Sequence, residues 1–436
     1  MEKKLTYVLV GAGHRGKRYT ENAYRHGGYQ LVGIAEPDTK TREYMRNLYH
    51  IPPENCFASY HELLAKGKIA DFCMICTQDR LHYDSAMQAI AQGYPLLLEK
   101  PVAPTPEACV AIRDAAEAKH VPVVICHVLR YTPFARTVRK LIDEGELGRI
   151  VNIIHFEGVG NIHYAHSFVR GAWHNTADSS MMLLAKSCHD IDLLQWLLQS
   201  QCTKVQSFGS LTYFRKENCP PGAPRRCTEG CPHEALCPYS AVKIYCDFPF
   251  DEGGWLAPCH PDGARYSREE TIRWLNETNY GTCVFQGDND VVDHQTVNLE
   301  YENGETAVFT MSPFDFGGRS IHIMGTKGEL ISTDFNTIEL FTYCDEDPCS
   351  DRFGHSRRAT IKTSALTIGQ SISAGHGGGD VGIMQDLYDL LAEGKQSASL
   401  SDIRTSVANH LTVFAAERSR LSGGKTAVLE NGWNLL

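Results

Sequence analysis

The chain has 436 residues, 42% hydrophobic and 22% charged, with a formal net charge of -10. That length exceeds what one hydrophobic core usually serves, so two folded domains are expected and a disordered chain is excluded. The acidic balance argues against a broad nucleic-acid or anionic-membrane surface, which would need clustered Lys and Arg, and leaves a small molecule as the expected partner.

The first apolar run, Tyr7-Val8-Leu9-Val10, is too short for a signal-peptide core, and no later run approaches a membrane span. A cytoplasmic protein is expected. Short apolar runs at 6-10, 30-35, 71-76, 95-98 and 121-126 alternate with amphipathic stretches near 15-27, 39-48, 80-92 and 105-119. Such alternation requires crossover connections, so residues 1-128 are expected to form an α/β, doubly wound parallel sheet of the Rossmann type.

Beyond residue 128 the pattern changes. A helix near 133-144, a strand near 149-158 and a long helical stretch near 180-199 precede several consecutive strand-like runs between 292 and 343. Helical stretches near 380-393 and 402-421 follow. Runs of neighbouring strands predict a largely antiparallel, open sheet, so residues 129-436 read as an α+β domain for substrate binding and oligomerisation. Residues 215-265, rich in Pro, Gly and Cys, read as an inserted loop that needs something other than a core to order it.

Gly11-Ala12-Gly13-His14-Arg15-Gly16 follows the first strand and opens a helical pattern, and Glu36 lies twenty residues beyond Gly16 at the end of the second strand run. In that context the glycines allow a tight turn and bring helix-start amides to a pyrophosphate, while the Glu36 carboxylate can accept from ribose hydroxyls. Its charge opposes a 2'-phosphate, which favours NAD over NADP, although Arg15 and Lys40 are basic groups nearby.

The fourth strand run ends in Glu99-Lys100-Pro101, at the carboxyl edge where open α/β sheets bind ligands. Thr77 and His82 follow the third run and open onto the same crevice. On a later helical stretch, Lys186, His189 and Asp192 recur at three-residue spacing along one face.

Together with the later turn Gly325-Thr326-Lys327-Gly328-Glu329-Leu330, these motifs span nearly the whole chain, and the sequence resembles the Gfo/Idh/MocA oxidoreductase family. The resemblance implies that Lys100 and His189 act at the reacting carbon. Proton removal from a hydroxyl suits a histidine near neutral pKa, and an ammonium suits the developing alkoxide. Many members carry an Asp four residues before the helix histidine, whereas this chain has Ala185, followed by Lys186 as a replacement substrate ligand or second cation. Asp192 is expected to orient His189.

Tyr131, Arg170, Trp173, His174 and His294 are the further substrate candidates, because aromatics stack on sugar rings and polar groups bind their hydroxyls. Asp290, Asp293 and the stretch His376-Gly377-Gly378-Gly379-Asp380 are similar candidates. The expected activity is NAD-dependent oxidation of a secondary hydroxyl in a sugar, sugar derivative or cyclitol. Two other readings stay open: an NAD-dependent glycoside hydrolase with Tyr131 or Tyr164 as an added base, and a non-catalytic NAD- or sugar-binding regulator. The family resemblance implies a homo-oligomer paired through the open sheet face.

Of the 16 cysteines, Cys73, Cys76, Cys109, Cys126 and Cys188 lie in apolar segments and read as reduced core thiols. Cys219, Cys227, Cys231 and Cys237 instead fall among the prolines of the inserted loop. They read as a structural, four-thiolate zinc site, with an iron-sulfur cluster, disulfides or free thiols as alternatives, and His233 or His260 as replacement ligands.

Overall fold

The computed structural model describes residues 4-248, 256, 258-343, 355-363, 376-430 and 434-435; part of the expected insertion, at 249-255 and 257, lies outside the described residues. Strands β1 (Leu5–Val10), β2 (Tyr29–Ala35), β3 (Cys56–Phe57), β4 (Phe72–Ile75), β5 (Leu96–Leu98) and β6 (Val123–Ile125) form a parallel sheet ordered β3-β2-β1-β4-β5-β6. Strand order reverses between β1 and β4, so the loops after both strands diverge and open a crevice at their carboxyl ends.

Helices α1 (His14–His26), α2 (Thr39–Tyr49), α3 (Tyr60–Ala65), α4 (His82–Ala91) and α5 (Pro106–Lys119) are the crossovers. Their starts are set locally: the Asp38 carboxylate caps α2 at Thr41 N, and the Thr105 hydroxyl caps α5 at Ala108 N, with Pro106 in the first turn. Every residue of β4 and β5 is buried, which explains why these strands read as unbroken apolar runs.

After α6 (Pro133–Asp143), strand β7 (Ile150–Gly158) enters a second sheet. It joins β8 (Cys202–Ser210), β9 (His294–Tyr301), β10 (Thr306–Ser312), β11 (Gly318–Gly325), β12 (Gly328–Ser332), β13 (Thr337–Tyr343), β14 (His355–Lys362), β15 (Ala427–Glu430) and β16 (Asn434–Leu435). The order is β14-β13-β12-β11-β7-β10-β9-β8-β15-β16. Among the described residues only the β7–β10 pair of this sheet is parallel, as the sequence pattern anticipated for a largely antiparallel sheet.

The helical stretch expected at 180-199 is two helices, α7 (Asn161–Tyr164) being followed by α8 (Met182–Ala185) and α9 (Cys188–Leu198). The break falls at Lys186 and Ser187, and Ser187 provides no side-chain cap. Strand β8, missed in the periodicity, runs with only every second or third residue buried.

The C-terminal helices return to the first sheet. Ile383, Met384 and Leu387 of the helix Gly379–Glu393 pack with Tyr7, Leu9, Tyr29 and Phe72 in one buried cluster. Ser401 then accepts from Ile125 N through its carbonyl at 2.8 Å. Leu387 is 1% exposed, so Leu387→Ala is expected to cost about 2–5 kcal/mol in urea unfolding; a loss below about 1 kcal/mol would mean that this helix is not integral to the first sheet's core.

Candidate active site

The turn after β1 has the geometry a dinucleotide cradle requires. Gly11 has φ +87°, and a Cβ there would stand 2.8 Å from the Cys76 carbonyl oxygen; a Cβ on Gly16 would stand 2.1 Å from the Gly11 carbonyl oxygen. Gly13, the N-cap of α1, faces open space, with nothing within 4 Å of an added Cβ. Two glycines are thus required by close backbone packing, and the third leaves room for a ligand at a helix N-terminus. These residues fit a bound pyrophosphate.

Glu36, 9% exposed at the end of β2, accepts from Ala12 N at 2.7 Å and Asp38 N at 2.9 Å. Its carboxylate therefore braces the glycine turn, while each oxygen keeps a second acceptor position. Arg15 points away from the ribose side. It donates to Glu99 Oε1 at 2.7 Å and to Asp380 Oδ1 at 2.7 Å, and also bonds the Tyr19 hydroxyl. Burial would raise the Glu99 pKa, but Arg15 and Lys100 outweigh it and hold the carboxyl below its usual range. His14 is exposed in the first turn of α1.

Thr77 and His82 divide between the crevice and its frame. Thr77 Oγ1 is buried without a protein hydrogen-bond partner. His82 is fully buried, with Nδ1 2.7 Å from Pro101 O and Nε2 3.1 Å from Thr77 O, so its ring ties the loop after β4 to the loop after β5. His410 supports the same segment by accepting from Val102 N at 3.0 Å.

Lys100 Nζ donates to the Ala185 carbonyl at 2.6 Å and lies 5.7 Å from the centre of the Trp173 ring. His189, one turn past Ala185, is 6% exposed, and its Nδ1 has no protein partner. Burial, followed by the charge of Lys100, pushes its pKa well below the ordinary value, so the neutral imidazole is the resting form. Two further histidines surround it, His376 from the sequence-based candidates and His127, which the sequence reading missed. The His127 ring centre is 5.8 Å away and the His376 ring centre 6.1 Å away. His127 follows β6, is fully buried, and has neither ring nitrogen hydrogen-bonded.

Asp192 does not orient His189. It accepts from Arg130 Nε and Nη2, both at 2.6 Å, and from Asn409 Nδ2 at 2.6 Å, with Asp192 fully buried. The guanidinium's two-pronged fit captures the carboxylate, since a buried charge is tolerable only when paired. Lys186 Nζ lies 3.1 Å from Glu157 Oε1, and Arg319 Nε contacts both Glu157 (2.6 Å) and Asp190 (2.7 Å). Glu157 and Arg319 face each other in the β7–β11 register, and His155 adds a 2.8 Å contact to Asp190. The sequence reading missed Glu157, Asp190 and Arg319; alternation along β7 marks the inward side of Glu157, but its partner is 162 positions away in sequence.

Of the substrate candidates, Trp173 is beside Lys100 and donates to Asp79 Oδ1 at 3.2 Å. Tyr131, Arg170, His174, His294 and Asp290 are engaged elsewhere. Tyr131 is a core residue whose hydroxyl bonds Ser401 Oγ at 2.7 Å, and Tyr164 donates to Val292 O at 2.9 Å, so neither hydroxyl is presented as an added base. Arg170 donates to Thr282 O and Tyr239 O, both at 2.7 Å. His174 Nδ1 lies 2.8 Å from Gly171 O, His294 Nδ1 lies 2.9 Å from Asp293 Oδ1, and Asp290 caps Thr176.

The expected zinc site of Cys219, Cys227, Cys231 and Cys237 is not formed. All four are free thiols, and among the described residues no group of three or more His, Cys, Asp or Glu side chains is placed to hold a metal ion. Cys219 is turned aside, its sulfur accepting from Gln286 Nε2 at 3.4 Å. Nor is the insertion coreless, because Cys227, Ala241, Val242, Ile244, Tyr245 and Leu275 pack as a small buried cluster. Among the described residues no helix is long and apolar enough to cross a membrane.

Two stability measurements test the charge arrangement. Asp192→Ala strands Arg130 in the interior and is expected to cost about 3–5 kcal/mol in chemical denaturation; a cost under about 1 kcal/mol would refute the pair's structural weight. The second is a pH series. Burial lowers the pKa values of His127 and His189, that of His410 to about 3 and that of His166 to about 4. Each binds its proton more readily when unfolded, so stability is complete above about pH 6.5 and falls as pH drops towards the folded-state values, by up to about 1.4 kcal/mol per pH unit per histidine. An unfolding midpoint that stays constant from pH 7 to pH 5 would contradict the buried neutral histidines.

Comparison with known proteins identifies the family of both domains. Residues 5-127 match the family model described as "Oxidoreductase family, NAD-binding Rossmann fold", and residues 139-342 match its partner, "Oxidoreductase family, C-terminal alpha/beta domain". YteT of Bacillus subtilis (strain 168), which carries an oxidoreductase name, is 22% identical over 398 residues, covering 85% of this chain and 86% of its own. An inositol 2-dehydrogenase of Corynebacterium glutamicum (strain R) is 24% identical over 213 residues, 47% of this chain and 58% of that protein. In three dimensions the chain is similar to the WlbA dehydrogenase from Bordetella pertussis, solved with NADH and UDP-GlcNAcA, with TM-score 0.66 and 18% identity over 99% of both chains. An oxidoreductase from Agrobacterium radiobacter, solved with NAD+, L-tartaric acid and magnesium, gives TM-score 0.67 and 15% identity over 98% of both. At these identities the structural likeness establishes the fold.

Proposed function

Because the chain belongs to the Gfo/Idh/MocA oxidoreductase family, we propose that it is an NAD-dependent dehydrogenase acting on a secondary hydroxyl of a sugar, sugar derivative or cyclitol. The observation that carries this reading is His189, buried and neutral with an unpartnered Nδ1, close enough to Lys100 for that charge to depress its basicity. Gly11, Gly13 and Gly16 would hold the pyrophosphate, and Glu36 the adenosine ribose. When bound, the nicotinamide supplies the hydride acceptor.

His189 takes the hydroxyl proton, and the Lys100 ammonium turns from the Ala185 carbonyl to the same oxygen, where it stabilises alkoxide charge. NAD is preferred over NADP because Glu36 braces the ribose side with a carboxylate, while Arg15 is committed to Glu99 and Asp380 and cannot meet a 2'-phosphate. The polar cluster of Lys186, Glu157 and Arg319, together with Trp173 beside Lys100, suits a hydroxylated ring that offers both donors and acceptors. Ile154, Phe156 and Phe208 lie on the open side of the second sheet, and they support pairing of two copies there.

Lys100→Met and His189→Asn are each expected to lower kcat by about 10²–10⁴ with NADH binding retained, followed as NADH absorbance across a panel of sugars and cyclitols. Aglycone release from aryl glycosides without net NADH would refute the dehydrogenase reading. Gly13→Ala should weaken NADH binding by at least about tenfold while leaving the unfolding midpoint unchanged, since its Cβ meets only the space a ligand would fill. Unaltered NADH affinity in that variant would remove the glycine turn from the cofactor site.

A further inference from the structure

The histidines near His189 use their ring nitrogens unevenly. His127, which leaves β6, lies beside both His189 and His410 of the helix Ile403–Leu421, with ring centres 5.8 Å and 5.4 Å away. His410 has no nitrogen to spare. Its Nε2 accepts from Val102 N at 3.0 Å, so its proton is on Nδ1, which donates to Ser406 O at 2.7 Å. His376 spends its Nδ1 on Asp380 at 3.1 Å, and its side chain is 39% exposed rather than enclosed. His127 is the opposite case, fully buried with neither nitrogen hydrogen-bonded to the protein.

A neutral imidazole has one donor and one acceptor, and a buried polar group left unpaired costs about 1–3 kcal/mol. Two groups beside His127 match its two nitrogens. Its Nε2 is 3.9 Å from Asp192 Oδ1, and His189 has an enclosed, unpaired Nδ1. Asp192 is the acceptor of the three, since Arg130 and Asn409 donate every hydrogen bond it makes. The proton of His127 therefore belongs on Nε2, facing that carboxylate, and its lone pair on Nδ1. Among the described residues His189 is the one ring neighbour of His127 with an unpaired enclosed nitrogen. One water with a hydrogen bond to each ring spans a gap of 5.8 Å between ring centres.

We propose that His127 is a positioning residue for His189: Asp192 holds the Nε2–H of His127, and His127 Nδ1 accepts, through one water, from the Nδ1–H of His189. The inference rests on the reading of His189 as the base. An imidazole's tautomer is set by the bond its other nitrogen makes, so this chain of contacts leaves the lone pair of His189 on Nε2, the nitrogen that is not enclosed. In the proposed reaction the substrate O–H bond breaks and its proton bonds to Nε2, while the hydride leaves the carbon for the nicotinamide. The Nδ1 proton stays on His189 throughout. His127 thereby supplies the acceptor that Ala185 lacks, and Asp192 reaches the imidazolium only through it.

The full chain, with its histidine rings labelled with 15N and NAD bound, tests the proposal without turnover. Imidazole nitrogen shifts, assigned with His189→Asn and His127→Gln, should place the proton of His189 on Nδ1 and that of His127 on Nε2. A His189 proton on Nε2 in the unaltered chain would overturn the proposal, whether or not any variant folds. In turnover, His127→Leu should lower kcat by about 10–10²-fold, with KM and NADH affinity kept within about twofold. His127→Gln, whose side-chain oxygen can accept the same bond, should stay within about fivefold of the unaltered chain. Equal losses in the two variants, or full activity in His127→Leu, would show that His127 only fills space. If no sugar or cyclitol is turned over, the dehydrogenase reading fails, and the two tautomers alone decide whether His127 positions His189.

Discussion

The candidate active site depends on one partly buried guanidinium. Arg15, in the first turn after the glycine loop, is held between Glu99 at the end of β5 and Asp380 at the start of the helix Gly379–Glu393. Three segments far apart in sequence are thereby locked together, and each carries something the site needs. The glycine turn precedes Arg15, Lys100 follows Glu99, and His376 precedes Asp380. Glu99 also accepts from the main-chain N–H of Lys100 at 2.8 Å, so the same carboxylate fixes the direction in which that residue leaves the strand. The cost of burying these charges is offset by multiple short contacts within the cluster.

A second group of buried charges does corresponding work on the other domain. Arg130–Asp192–Asn409 ties the segment after β6 to α9 and to the C-terminal helix Ile403–Leu421. Glu157, Lys186, Asp190 and Arg319 join α9 to β7 and β11. His189 lies on α9 between these two groups, anchored on both sides while its own ring keeps an unused nitrogen. A fixed backbone with an unsatisfied side chain is the condition in which a general base can be held ready for a substrate proton.

Position 185 contributes to the site through its main chain. An alanine there offers no carboxylate, and Lys100 instead donates to the Ala185 carbonyl. The neighbouring Lys186 finds its anion on β7, at Glu157. The glycine turn of the candidate site is assembled from backbone, whereas the cluster around Lys186 is assembled from side chains.

The sequence by itself determined the parallel sheet, the glycine turn, and the strand-end positions of Glu36 and Lys100, because these depend on local periodicity and on fixed offsets along a short stretch of chain. Placing His189 on a helix was legible for the same reason. What only the tertiary structure decided are the partners. Asp192 and His189 have the spacing of helix neighbours, yet Arg130, 62 positions from Asp192, captures the carboxylate. Arg170 and Tyr131 have substrate-binding chemistry but spend it on main-chain and Ser401 contacts inside the fold. Spacing along a chain specifies which residues share a face, but buried polar groups pair with whatever the folded packing brings within hydrogen-bond reach, and no local pattern encodes that choice.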